Sequence, residues 1–136
     1  MKPDFETAAI KATEILIRYG ISTAPVDPLP ILKKYPGVFV VSFKEMSELS
    51  GFSRSNLLNA CGEYNQDAVT TVNVEDGKLR YLVAYNQALP QALVQRSLAR
   101  ELGHIVLGHD GSKPEDIRLE EAICFANHLQ IGRAHV

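Results

Sequence analysis

The sequence has no tryptophan, only two methionines and only two cysteines, Cys61 and Cys124, which stand far apart and in no C-x-x-C spacing. A disulfide framework of the kind that staples small secreted domains is not expected, and the reducing cytoplasm is the compartment this cysteine usage suits. No apolar run approaches the ~20 residues of a membrane span. The N-terminus, Met1-Lys2-Pro3-Asp4-Phe5-Glu6, lacks the apolar stretch of a signal peptide. A basic surplus is also lacking. The net charge is -2, so a nucleic-acid partner held by a broad Lys/Arg surplus is not expected. No internal repeat, charge block or biased tract is present. What remains is ordinary globular composition: 46% hydrophobic and 22% charged over 136 residues, which argues against disorder and for one domain.

The pattern along the chain predicts an α+β fold. Phe5, Ala9, Ala12, Leu16 and Tyr19 recur at spacings of three and four and predict a helix over 4–19, with Asp4 as its cap and Gly20 as its left-handed end. Asp27-Pro28 predicts a short helix that stops before Pro36-Gly37. The β-prone run 38–43 predicts a buried strand. In the stretch 44–66, Leu49, Leu57 and Leu58 suggest short helical turns. Two β-rich runs, 68–74 and 79–85, flank Asp76-Gly77, a hairpin signal. Pro90 opens a helix to about Leu107 with Val94, Leu98, Leu102 and Ile105 as its apolar stripe, and Gly108 and Gly111 mark the turn that follows. Ser112-Lys113-Pro114-Glu115 reads as a capping box for a last helix reaching about Leu129, with Ala122, Phe125 and Leu129 on its stripe. The expected sheet is small, antiparallel or mixed.

The chemistry sits in the segment Ser97-Leu98-Ala99-Arg100-Glu101-Leu102-Gly103-His104-Ile105-Val106-Leu107-Gly108-His109. On a helix, positions 100 and 104 lie one turn apart on one face, with 101 beside them. The H-E-x-x-H metalloprotease motif uses this spacing: two imidazoles grip one ion and the glutamate is general base for its bound water. Here Arg100 stands in place of the first histidine. Gly103 costs a helix about 1 kcal/mol against alanine; close approach of the hairpin backbone, or a substrate crossing the helix, would account for it.

The helix 97–109, together with Glu121-Ala122-Ile123-Cys124-Phe125-Ala126, resembles the ImmA/IrrE family of metallo-endopeptidases, with its E-L-G-H core and later E-A-x-x-F-A segment. The resemblance is specific from about 67 to 129. It implies a zincin-like fold, a Zn²⁺ ion held between two helices and hydrolysis of a bacterial or phage regulator. A co-encoded DNA-binding repressor is then the expected partner. It also implies Glu101 as general base, with His104 and Glu121 as metal ligands.

Arg100 breaks that ligand set. A guanidinium has no lone pair to give a cation and stays protonated. At ~4 Å and an effective dielectric of ~20, it would repel a divalent ion by at most about 8 kcal/mol. Three arrangements are open. A metal binds through a changed set, with His109, Cys124 or His128 as substitute; Glu121, Cys124 and His128 lie at i, i+3 and i+7 of the last helix. Alternatively, Arg100 takes the place of the metal and forks onto Glu121, which makes the chain a catalytically degenerate, metal-free binding module. In the third arrangement the motif is accidental and the domain is an unrelated interaction protein.

The last residues read Ile131-Gly132-Arg133-Ala134-His135-Val136. They can be back-translated as ATC GGA AGA GCA CAC GTC, which with CAG for Gln130 reproduces a widely used sequencing-adapter sequence. The expected organisation is therefore one peptidase-like domain over 1–130 and adapter read-through over 131–136.

Overall fold

The computed structural model describes residues 1–22, 24–50, 67–109 and 112–131. The readings made above for Leu57, Leu58, Cys61, Gly111 and the segment 132–136 lie outside the described residues. Among the described residues the fold is α+β, with five helices and a three-stranded mixed sheet. No described helix is long and apolar enough to cross a membrane. The chain forms two compact units, Met1–Pro28 with Ala99–Val136, and Leu29–Leu98.

In the first unit, α1 (Phe5–Arg18) begins where the Asp4 carboxylate accepts the Thr7 N–H at 3.0 Å and the Thr7 hydroxyl at 2.7 Å. It ends at Gly20, whose φ of +65° lets Gly20 N–H reach Ile17 O and Ile21 N–H reach Leu16 O at 2.9 Å. That is a Schellman terminus. The buried stripe of α1 is Ala8, Ala12, Ile15 and Leu16, shifted from the predicted one. Phe5, in the exposed first turn, is 50% exposed.

The first unit also holds the C-terminal part of α4 (Gln91–Val106) and all of α5 (Glu115–Ile131). Leu102 and Ile105 of α4 are buried, as are Ile117, Ala122, Phe125, Ala126 and Leu129 of α5. The Gln130 amide anchors the end of α5 by donating to Val26 O at 2.8 Å. Gly103 has a reason different from the two expected. A Cβ built on it would lie 3.0 Å from Phe125 Cδ1 and 3.3 Å from Phe125 Cβ. The glycine lets the two helices close on the Phe125 ring.

In the second unit, α2 (Pro28–Lys34) follows the predicted Asp27-Pro28 start. β1 (Val38–Ser42) is one residue shorter than predicted, because Phe43 opens α3 (Phe43–Ser50). The Ser42 hydroxyl accepts the Glu45 N–H at 3.0 Å, and the Glu45 carboxylate accepts the Ser42 N–H at 3.1 Å. This reciprocal capping box turns the chain from strand to helix. The hairpin of β2 (Ala68–Glu75) and β3 (Lys78–Tyr85) turns at Asp76 and Gly77, with φ of +53° and +76°. Two positive φ values in a two-residue loop are the hairpin geometry that Asp-Gly favours. β3 is central: antiparallel to β2 with Val72 opposite Tyr81, and parallel to β1 with Val40 opposite Val83. Val41, Phe43 and Ala84 form a buried cluster, with Met46, Val69 and Leu82 packed around it.

Candidate functional site

The site is built where α4 ends and α5 begins. α4 closes on a second Schellman terminus. Gly108 has φ +66°, its N–H donates to Ile105 O, and the His109 N–H donates to His104 O at 3.0 Å. This motif places the side chain two residues past the cap beside that of the third residue from the helix end. Here both are histidines. Their Nδ1 atoms stand 2.7 Å apart and the rings meet edge to face, 62° between planes. One Nδ1 must carry the shared proton and the other accept it.

α5 supplies the carboxylate. The Pro114 carbonyl accepts the Arg118 N–H, so Pro114 holds the cap position that the predicted capping box gave to Ser112. The Arg118 Nε donates to Lys113 O at 3.1 Å and fixes the approach to the helix. Two turns in, Glu121 falls on the buried stripe and is 2% exposed. Three donors make four hydrogen bonds to its two oxygens. Lys113 Nζ donates to Oε2 at 2.7 Å and to Oε1 at 3.0 Å. Asp4 N–H donates to Oε2 at 2.8 Å, and His109 Nε2 lies 2.9 Å from Oε1. A carboxylate offers about four lone-pair sites, so Glu121 is saturated. Burial alone would raise its pKa; hydrogen bonds from Lys113, Asp4 and His109 more than offset this and hold it at about 2. Because Glu121 is ionised and only accepts, His109 Nε2 carries a proton toward it.

The result is a line of contacts, His104, His109, Glu121, Lys113, buried at Glu121 and partly exposed at the Lys113 end. His104 is lowered to about 4, first by burial and then by the positive fields of His109, Arg118 and Arg100. It is therefore neutral at physiological pH.

The residues expected at the site are only partly brought together. His104 and Glu121 are joined through His109, whose side chain is 3% exposed. Glu101 is half-buried on α4, beside Arg100. The expected fork between Arg100 and Glu121 is replaced: Lys113 holds both oxygens of Glu121, while half-buried Arg100 acts on His104 through its field. Cys124 lies at the margin of the buried stripe, with Sγ 3.7 Å from Phe5 O and its thiol pushed up by burial. His128 is exposed. Neither joins the constellation. The spacing i, i+3, i+7 puts them near Glu121 on a helical wheel, but the buried arc runs through 117, 121, 125 and 129.

The donor set does not fit a zinc ion as arranged. Three ligands must converge on one point at about 2.0–2.2 Å for nitrogen and oxygen. His109 instead spends one ring nitrogen on His104 and the other on Glu121. Among the described residues no three His, Cys, Asp or Glu side chains are placed to hold one ion. The contribution of Lys113 escaped the sequence reading, as did that of the Asp4 backbone. The Gly108-His109 pair, five residues after His104, was the local signal that could have placed His109. In comparisons with protein-family models, curated proteins and solved structures, the chain finds no match.

Proposed function

We propose that the chain is a metal-free, zincin-like domain derived from a metallo-endopeptidase, and that it binds a protein partner in the cytoplasm without cleaving it. The observation that carries this reading is the saturation of Glu121 by Lys113, His109 and Asp4. Arg100, at the position of the first motif histidine, supports it from the other helix. A water-activating metal needs an available carboxylate and two convergent imidazoles. This site spends both kinds of group on each other. The resemblance of 97–109 and 121–126 to ImmA/IrrE proteins supplies the partner class, a bacterial or phage regulator such as a co-encoded DNA-binding repressor.

The test begins with the gene's neighbourhood: a DNA-binding repressor found encoded beside it is incubated with the purified chain. Calorimetry is expected to show binding, and the repressor is expected to be recovered intact with or without added zinc. Cleavage that a chelator stops and Glu101→Gln abolishes would overturn this reading. It would restore a zinc endopeptidase with Glu101 as base and His104 and Glu121 as ligands.

A further inference from the structure

We infer that Lys113 is the residue that excludes a metal ion from this site, and that restoring the missing histidine at position 100 is not sufficient to readmit one. The inference rests on the metal-free reading above and names its cause. All four acceptor sites of Glu121 are filled, so an incoming cation must displace a donor. The Asp4 donor is a backbone N–H held by the cap of α1, and the His109 ring is 3% exposed and tied to His104. Lys113 is the donor that differs. Its side chain is 36% exposed against 3% for Glu121, and its ammonium touches both oxygens. It therefore sits as a built-in cation against the carboxylate that would otherwise face a metal.

Arg100 and Arg118 add positive field at His104, but neither holds the carboxylate in this way. A single ammonium charge about 5 Å from a divalent ion at a partly exposed site weakens its binding about 100-fold, even after screening.

The experiment compares zinc binding to four metal-stripped proteins: wild type, Arg100→His, Arg100→His/Lys113→Met and Arg100→His/Lys113→Arg. Titration with zinc chloride is followed by calorimetry, and cobalt(II) absorption reports the ligand geometry. The Met double variant is expected to bind one zinc about 100-fold more tightly than Arg100→His alone. The charge-retaining Arg double variant is expected to match Arg100→His. Equal affinity of Arg100→His and the Met double variant overturns the inference while leaving the wild type metal-free. Absence of binding by a folded Met double variant overturns it as well. If circular dichroism shows that variant unfolded, Arg100→His/Lys113→Gln, which keeps a donor to Glu121, takes its place with the same two outcomes. Tight zinc binding by the wild type would instead overturn the metal-free reading itself.

Discussion

Replacing Glu121 by glutamine keeps the shape of the side chain and removes one buried charge. The consequence follows from the three donors around it. Both oxygens accept hydrogen bonds, one set including Asp4 N–H and the other His109 Nε2. Whichever way the amide is turned, its NH₂ meets a donor, and an unmade buried hydrogen bond costs about 1–3 kcal/mol. The lost charge adds to this. Glu121 is held at about 2 against an ordinary 4.5, and a shift of that size corresponds to at most about 3 kcal/mol. Lys113 is 36% exposed, so solvent screening reduces that share to about 1–2 kcal/mol. The sum is about 2–5 kcal/mol. For a chain of this length that is a fall in Tm of roughly 7–18 °C.

The assay is urea unfolding of wild type and Glu121→Gln across pH. A carboxylate with a depressed folded pKa stabilises fully above its unfolded value and loses that contribution as pH falls through the folded value. Glutamine does not titrate. The gap between the two proteins should therefore be constant above about pH 4.5 and narrow as pH falls toward about 2. A gap below about 0.5 kcal/mol, or one that stays flat down to pH 2.5, would refute an ionised, fully partnered Glu121.

Two further outcomes follow from the same unit. Gly103→Ala gains helix propensity of about 1 kcal/mol but sets a Cβ 3.0 Å from the Phe125 ring, which is fully buried. Overpacking dominates, and thermal unfolding should show a net loss of about 1–2 kcal/mol; a stabilised variant would show that Phe125 has room to move. His104, lowered to about 4, should keep flat ring chemical shifts from pH 8 to about pH 5.5 and move only near pH 4. The unfolded chain takes up that proton near the ordinary value of 6.5. Stability linked to His104 therefore falls as pH drops from about 6.5 through about 4. A His104 titrating near 6.5 in the folded protein would contradict its burial against His109.

Local rules made much of the fold legible. Asp4, Gly20, Asp27-Pro28 and Asp76-Gly77 each act through the nearest few residues, and each stands where expected. Ser42-x-x-Glu45 was equally local, but the β-prone run through Phe43 masked it. Gly103 was ambiguous because its reason, the Phe125 ring, lies 22 positions away on another helix. The site divides in the same way. His104 was expected from the motif spacing and Glu121 from the resemblance of its E-A-x-x-F-A segment. The turn that folds His109 back was written in Gly108. Lys113, by contrast, carries no local pattern that sets it apart from a surface lysine. Its role comes from meeting a carboxylate eight residues on, and the Asp4 N–H reaches that same group across 117 positions. Such partners are fixed by tertiary packing.

On the reading proposed above, Lys113, the protein's own cation, neutralises Glu121 in place of a bound metal. The most direct measurement is the zinc content of the wild-type chain, purified without chelator, equilibrated with zinc and desalted. No zinc above the level of a control protein is expected. One zinc per chain, surviving desalting, would contradict it.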